Sequence, residues 1–518
     1  SKSDFSPILK HGMLKSIILR ICLKNHNENQ YKIDNIIRKI LTSITNKEKL
    51  AYISRYIEDL CEISPEVVLE YLEQEIQKES NIIELFKLEY KNFPSNYYYT
   101  SILWTIEQLL LQKRFVVRAV NLLWKLHDKN IKYHISNSPK EILSKVFCAS
   151  INMSVLTVEQ KIILAENALY NFKSAWEIIF SKLPTSGISV IGSDLKYPKF
   201  RKTDEINILY KNEIYKTYIE YLKLCVKYID SSATRWEMII SKIGIYSLEL
   251  IEETFKTLLT NLEDFSDENK LIIKDKLRWE IYRNRKYRKT EWAICEEKIL
   301  IFEKIMNKIN FENIIYDYMY IFKYDFELEF PLLVSNSDNE KNKELSEKEI
   351  KTQIQKFKTN NLLLNDLLLR LPKNIDMKIV GKYIALYYDN NIYNDITFDI
   401  ILNFQNNELI YNYIRYLAYS CNFKNIIKKL KHLKNENHNL IISILEIDFK
   451  LNNEKALIFS ENEKFKCEFW KIQLPFYGKI KKSFFINCIN ECKTYGNINS
   501  YLNIIYYGRD ILTPEEIY

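Results

Sequence analysis

The sequence predicts an all-α protein, built as an α-solenoid: a superhelix of stacked helical hairpins similar to TPR and HEAT repeats. Glycine is scarce, with 8 residues in 518, where about 7% is ordinary. Apolar residues also recur with helical spacing along most of the chain. Successive hairpins start about every 35–45 residues, which is the spacing of solenoid repeats. No strict repeat consensus is present, so the predicted array is degenerate.

The apolar stripes identify the first helices in order. Ser64-Pro65 precedes the stripe at residues 67–76, and it combines an N-cap residue with proline at the first helical position. The next stripe, at residues 102–110, follows Thr100-Ser101 as candidate N-caps. Another stripe at residues 116–124 begins a few residues later. Two stripes this close together predict an αα-hairpin.

Further stripes continue the predicted array toward the middle of the chain. They lie at residues 162–169, 175–183, 215–229, 248–259, 271–277 and 299–309. The second of these ends at Pro184, which cannot continue a helix. Residues 184–200 contain two Gly, two Pro and three Ser. They are too irregular for a helix turn, so we expect an ordered loop there.

A polar stretch marks the predicted domain boundary. The chain is longer than a single hydrophobic core usually supports. Residues 335–351, SNSDNEKNKELSEKEIK, are nearly all polar and predict a linker or loop. This linker would separate a helical-repeat array at residues 1–334 from a second helical subdomain at residues 352–518.

Charge and cysteine content restrict the class of protein. The net charge is +8, from 75 Lys and Arg against 67 Asp and Glu, which permits an acidic partner without requiring nucleic acid. The nine cysteines are scattered and odd in number, which favours reduced thiols in the cytoplasm. The longest apolar runs are far shorter than the ~20 residues of a membrane span. We expect a cytoplasmic protein with no membrane partner.

The sequence lacks common catalytic, cofactor-binding and metal-binding motifs. It has neither the phosphate-binding pattern G-x-x-x-x-G-K-[ST] nor the dinucleotide-binding pattern G-x-G-x-x-G. Its six histidines are isolated, and none forms an H-E-x-x-H motif. We therefore predict no enzymatic activity, no catalytic residue, no metal site and no cofactor for this chain.

A basic and aromatic segment is the strongest candidate for binding. Residues 277–289 read LRWEIYRNRKYRK, and a tryptophan follows closely. Arginine beside aromatic rings suits either a protein-binding hot spot or contact with a phosphate backbone. The alternative is a solvated helix that buries its aromatic rings while the arginines extend to water. The candidate protein-binding residues are Arg278, Trp279, Tyr282, Arg283, Arg285, Tyr287, Arg288 and Trp292.

Three consecutive tyrosines form a second candidate. Tyr97, Tyr98 and Tyr99 follow Phe93-Pro94 and lie in a predicted interhelical loop. Exposed tyrosines are enriched in protein interfaces. Tyrosines also pack beneath loops, so the sequence leaves both roles open.

Scattered segments together resemble a known family. Their order resembles the C-terminal helical-repeat region of antiviral STAND NTPases of the bacterial Avs type, over about residues 5–330. Residues 135–153 keep only fragments of that pattern. The segments are Leu103-Trp104-Thr105-Ile106-Glu107, residues 118–126, Ala175-Trp176, Leu183-Pro184, residues 198–201, Leu277-Arg278, Ile281, Arg285, Trp292-Ala293, Glu296-Glu297 and Phe302-Glu303.

The resemblance implies a sensor. In that family a TPR-like region recognises a phage structural or packaging protein, and the full-length protein then assembles through its NTPase module. The resemblance thus implies a target-recognition domain whose partners are a phage protein and that NTPase module, in the bacterial cytoplasm. Two alternatives remain: a nucleic-acid-binding helical-repeat protein, and a structural scaffold or adaptor.

Overall fold

In the computed structural model, the regular secondary structure of the described residues is helical, and none of these residues lies in a strand. They are residues 12–13, 15–17, 27–78, 81–87, 98–129, 131, 137–184, 195–323, 339–359, 363–373, 375–390, 392, 394–418, 482–495, 498–508 and 512–517. The all-α prediction is confirmed. The chain forms two compact units, Ser1–Asp264 and Phe265–Tyr518.

Unit 1 is a succession of helices joined mostly by short connections. A short 3₁₀ turn, Leu262–Asp264, follows the last of them. The helices are α1 (Asn27–Thr42), α2 (Lys47–Ser54), α3 (Ile57–Ile63), α4 (Pro65–Gln77), α5 (Asn81–Lys87), α6 (Tyr98–Leu109), α7 (Val116–Asp128), α8 (Pro139–Val146), α9 (Val158–Asn171), α10 (Ala175–Ser181), α11 (Lys211–Lys227), α12 (Ala233–Ile243) and α13 (Leu248–Asn261).

Local capping explains where several of these helices begin. Pro65 occupies the first position of α4, as the sequence predicts. The Ser138 side chain accepts the backbone N–H of Glu141 and starts α8. Thr157 and Gln160 form a reciprocal capping box at the start of α9. The Ser138 and Thr157 caps satisfy amide groups that the first turn of a helix leaves without an internal partner, and Pro65 has no N–H that needs one.

Helices of unit 1 pack on helices that lie near them in chain order. Among the described helices of this unit, the extensive contacts join elements no more than four positions apart, such as α4 with α7, α8 with α10 and α11 with α13. Large aromatic side chains fill the spaces between them, including the buried Trp124, Trp176 and Trp236. The predicted loop at residues 184–200 is non-helical where it is described, at Pro184 and over residues 195–200; residues 185–194 lie outside the described residues.

Unit 2 is also built from helices. A π-helical turn, Ile384–Tyr388, continues α19. The helices are α14 (Asp267–Lys286), α15 (Glu296–Met306), α16 (Tyr316–Met319), α17 (Asn339–Thr359), α18 (Leu364–Arg370), α19 (Met377–Tyr383), α20 (Asp395–Asn403), α21 (Asn407–Ala418), α22 (Lys482–Tyr495), α23 (Ile498–Gly508) and α24 (Pro514–Ile517). One hydrophobic core gathers residues of α14, α16 to α22 and Leu512.

The predicted linker at residues 335–351 is wrong over most of its length. Residues 339–351 belong to α17, while residues 335–338 lie outside the described residues. The helix forms because Ile350, Ile354 and Phe357 make a narrow apolar stripe that is buried in the core of unit 2. The compact units divide after Asp264, so the boundary expected at 335–351 does not coincide with that division. The repeat array expected over residues 1–334 stays a prediction.

None of the helices that the structure describes has the length and apolar character needed to cross a membrane. The described thiols of Cys61, Cys148, Cys225 and Cys295 are free, and only the last of them is exposed.

Burial of Lys161 in unit 1 gives a prediction about pH. Its side chain is 1% exposed, and its Nζ donates to the backbone carbonyl of Cys148 at 3.1 Å. Burial lowers the pKa of Lys161 from 10.5 to about 8, although Cys148 nearby acts in the opposite direction. The unfolded chain therefore binds more protons between about pH 8 and 10.5, so this residue makes stability rise with pH across that window.

We expect Lys161→Met to stabilise the chain by about 1–2 kcal/mol at pH 7. The gain from removing a buried charge exceeds the cost of losing one hydrogen bond. The gain should shrink as the pH rises from about 8 to 10.5. Urea unfolding of both chains across this range measures it, with the exposed Lys173→Met as the control. A stability difference that is independent of pH would contradict the burial effect.

Candidate protein-binding site

The C-terminal end of α14 and the turn after it hold the predicted binding residues in a fixed conformation. Asn284 is 3% exposed, and its Oδ1 accepts the backbone N–H of Ile294 at 3.0 Å. Its Nδ2 donates to the carbonyl of Glu280, one helical turn earlier, at 2.8 Å. The hydroxyl of Thr290 donates to the carbonyl of Tyr287 inside the turn. These bonds fix the turn against the helix from which it emerges.

Arg285 adds a second restraint, between α14 and α15. Its Nε donates to Glu296 at 3.0 Å, and its Nη1 donates to Glu303 at 2.6 Å. Burial alone would lower the pKa of Arg285, but the hydrogen bonds to these two carboxylates raise it above the ordinary value. The guanidinium is mostly buried in these ion pairs. Arg285 therefore holds the two ends of the turn together and offers little surface to a partner.

The turn presents aromatic rings with cations packed around them. Tyr287 and Trp292 are 43% and 38% exposed, and their ring centroids lie 5.8 Å apart. The Arg283 guanidinium lies 5.0 Å from the Trp292 ring, and Lys286 Nζ lies 5.4 Å from the Tyr287 ring. Arg288 is exposed beside them. We call these five residues the Trp292 surface.

Two further predicted residues extend this surface along α14. Trp279 and Tyr282 are half-buried, and their rings meet at a centroid distance of 5.7 Å. Lys286 Nζ lies 5.1 Å from the Tyr282 ring, so this lysine stands between Tyr282 and Tyr287. The result is a continuous row of aromatic rings and cations. Such cation–π contacts are worth about 0.5–1 kcal/mol each at exposed sites and favour a defined side-chain arrangement.

Arg278 also lies on α14, but its side chain is buried inside unit 2. It is 8% exposed, and its Nη1 bonds Asp275 at 2.6 Å. Its guanidinium lies 3.7 Å from the ring of Tyr320, and Lys323 Nζ also reaches Asp275 at 3.3 Å. Burial raises the pKa of Tyr320 to about 12, although the nearby Arg278 lowers it. This network is internal, so we exclude Arg278 from the candidate surface.

The outcome differs among the three consecutive tyrosines of the second candidate site. Tyr97 lies outside the described residues. The loop predicted for the other two is wrong, because α6 begins at Tyr98. Tyr99 is 2% exposed and its ring stacks on Phe86 at 5.3 Å, which stabilises the first turn of the helix. Because its ring is buried, Tyr99 offers no surface to a partner, and we exclude it from the candidate surface.

Two residues that fix the Trp292 surface were not identified from the sequence. In the sequence, Asn284 is one residue of the basic run, and nothing near Glu303 indicates its contact with Arg285. An asparagine inside a helix interior is a signal, because its side chain competes for backbone groups and is often satisfied by a neighbouring turn. In the described part of the chain, no three His, Cys, Asp or Glu side chains are grouped as metal ligands would be.

The chain was compared with protein-family models and with curated protein sequences. No protein-family model matches the chain, and no curated protein sequence matches it. The resemblance to the sensor region of STAND NTPases thus stays a prediction carried by its residues.

Asn284→Ala tests how the turn is held. We expect it to cost about 1–2 kcal/mol of stability in unit 2, because the backbone N–H of the half-buried Ile294 loses its acceptor. Hydrogen exchange at residues 287–294 should also speed up. Hydrogen-exchange mass spectrometry measures both effects, and the exposed Asn307→Ala is the control. Unchanged exchange in the turn would show that other contacts hold it.

Proposed function

We propose that this chain is the target-recognition region of a bacterial antiviral STAND NTPase. In this proposal it binds a phage protein, and binding leads to assembly of the full-length protein through its NTPase module. The chain itself does no chemistry and acts in the cytoplasm. The partner class comes from the family resemblance, and the physical argument concerns how such a partner would be bound.

The Trp292 surface is the observation that carries the proposal. Trp, Tyr and Arg are the residue types that dominate binding energy at protein interfaces. Here a Tyr and a Trp are both partly exposed, in mutual contact and surrounded by cations. Asn284 and Arg285 hold the turn in place before a partner arrives. A preorganised surface spends less of its binding energy on ordering side chains.

Packing in unit 1 supports the recognition role. Its described helices make their extensive contacts with helices no more than four positions away in chain order. We propose that they form a stack of hairpins of the TPR or HEAT kind, in which each repeat contacts mainly the next. Such stacks provide extended surfaces that suit protein targets.

Capture from lysates tests the proposal. The immobilised chain is incubated with lysates of phage-infected and uninfected bacteria, at low salt and at about 0.5 M salt. We expect one phage protein to be retained from the infected lysate at both salt concentrations. Retention of host proteins alone, identical from the two lysates, would favour the scaffold and contradict the sensor.

Nucleic-acid binding is the second candidate function, and one observation favours it. Arg288 and Lys289 are exposed next to rings on which a base could stack. Affinity that comes from phosphate contacts falls steeply as salt rises. Duplex or single-stranded nucleic acid retained only at low salt, without a phage protein, would replace the sensor proposal with this one.

A further inference from the structure

A segment without regular secondary structure crosses α3 in unit 1. We call residues 195–204 the strap. The carboxylate of Glu62, which is 2% exposed, accepts the backbone N–H groups of three successive strap residues. The distances are 2.7 Å from Lys199, 2.7 Å from Phe200 and 3.1 Å from Arg201. The buried carboxylate of Glu62 therefore binds the backbone of the strap.

A second acidic residue, on α6, repeats this arrangement. Glu107 is 3% exposed and accepts the backbone N–H of Lys196 at 2.8 Å. Beyond α6, the strap ends with Asp204, whose N–H donates to the carbonyl of Leu111 at 3.0 Å. The strap is thus held at several points by its main chain. Main-chain hydrogen bonds are one way in which proteins gain affinity for extended peptides, and every peptide backbone offers them.

The side chains of the strap complement the charge of the groove beneath it. Lys199 Nζ lies 3.6 Å from the carboxylate of Asp59, and Arg201 Nε donates to the backbone carbonyl of Glu62 at 2.9 Å. Burial raises the pKa of Glu107, while the contacts from the strap and from Lys145 lower it. Buried carboxylates are costly without donors and cations around them. The groove therefore favours an occupant that is extended and basic.

Few apolar contacts hold the strap. Leu195 is buried, and the other strap residues, 196–204, are half-buried or exposed. A segment that buries little apolar surface opens at a lower free energy than a packed helix. Its opening would uncover the carboxylates of Glu62 and Glu107, which another peptide could then satisfy in the same way.

We infer that the groove formed by Glu62, Glu107 and Asp59 is a binding site for an extended basic peptide segment of a partner protein, and that the strap fills it until the partner replaces it. Backbone N–H groups of any extended peptide can meet the two glutamates. Lysine or arginine side chains on that peptide match the acidic groove. The inference does not depend on the Trp292 surface, which belongs to unit 2.

Peptide binding to the full chain tests the inference. The probe is a fluorescent peptide with the sequence of residues 195–204, LKYPKFRKTD. In the variant Lys199→Ala/Arg201→Ala the strap loses the side-chain contacts of these two residues, so the groove is open for a larger fraction of the time. Apparent affinity rises with the fraction of competent molecules, and we expect at least about tenfold tighter binding than to the wild type.

A control variant and a control peptide accompany this titration. Lys202→Ala alters an exposed strap residue and should bind the peptide as the wild type does. A peptide with glutamate in place of every lysine and arginine should not bind the open variant. Equal affinity of the wild type and the double variant for the basic peptide would overturn the inference.

Hydrogen exchange of the wild-type chain gives a second test that needs no variant. We expect the amides of Lys199, Phe200 and Arg201 to exchange at least about 100-fold faster than the core amides of α3 and α6, through local opening. The added basic peptide should not change the exchange of the helices. Strap amides as protected as the helix cores would show that the strap opens only when unit 1 unfolds, which overturns the inference.

Discussion

Trp176→Ala is expected to destabilise unit 1 by about 3–5 kcal/mol, the range found for removal of a buried large aromatic side chain. Trp176 is 2% exposed in α10, and its ring stacks on Phe180 at 4.7 Å. Its Nε1 donates to the carbonyl of Cys225 in α11 at 2.9 Å. The guanidinium of Arg235, from α12, lies 4.8 Å from the ring. One side chain thus connects three successive helices, and its loss leaves both a cavity and an unpaired carbonyl.

The conservative variant separates these two losses. Trp176→Phe keeps a large ring but removes the N–H donor, so we expect a smaller cost of about 2 kcal/mol. Urea unfolding gives the free energies, and hydrogen exchange shows whether α10, α11 and α12 lose protection together. A cost below about 1 kcal/mol for the alanine variant would contradict the packing described here.

Gly381→Ala is expected to destabilise unit 2 by about 2–3 kcal/mol, although alanine is the better helix former by about 1 kcal/mol. Gly381 lies in α19 where this helix meets α21. A Cβ atom at this position would lie 2.6 Å from the carbonyl oxygen of Leu409 and 2.9 Å from the backbone nitrogen of Tyr413. These are backbone atoms of a packed helix, so the two helices would have to separate.

Gly12→Ala is the matched control for this substitution. Nothing lies within 4 Å of the position that its Cβ would take. We expect this variant to be as stable as the wild type or slightly more stable. The free energy of unfolding of unit 2, followed by hydrogen exchange in α19 and α21, distinguishes the two glycines. Equal stability of both alanine variants would mean that α19 and α21 are not in close backbone contact.

The sequence predicts much of the fold because local signals agree with the final packing. Pro65 begins α4 as its position after Ser64 indicates. The stripes at residues 116–124 and 248–259 become α7 and α13, whose apolar faces are buried. Where one face of a helix is clearly apolar, periodicity alone locates it.

The polar composition of residues 335–351 predicts a linker or loop, whereas most of this stretch belongs to α17. This helix needs only Ile350, Ile354 and Phe357, spaced by four and three residues, to reach the core. Such a stripe is narrow enough to be hidden among many lysines and glutamates. Overall polarity is therefore a weak indicator of a loop when one residue in each turn is apolar.

The residues of the candidate site can be named from the sequence, but their internal contacts cannot. Arg278 falls on the buried face of α14, seven residues after Leu271 and three before Ile281, and this periodicity was available in the sequence. Its partner Tyr320 lies far along the chain and could not be inferred. The same limit applies to Glu62, whose strap partners are separated from it by 137 to 139 residues.

Capture from one infected lysate by two versions of the chain tests the central claim most directly. One version is the wild type, and the other is Tyr287→Ala/Trp292→Ala, which truncates both exposed rings and leaves Asn284 and Arg285 unchanged. Truncation of paired hot-spot residues costs about 2 kcal/mol or more each in binding. We predict that the wild type retains one phage protein at about 0.5 M salt and that the variant does not. Retention of the same proteins by both versions would contradict the claim that the Trp292 surface recognises the target.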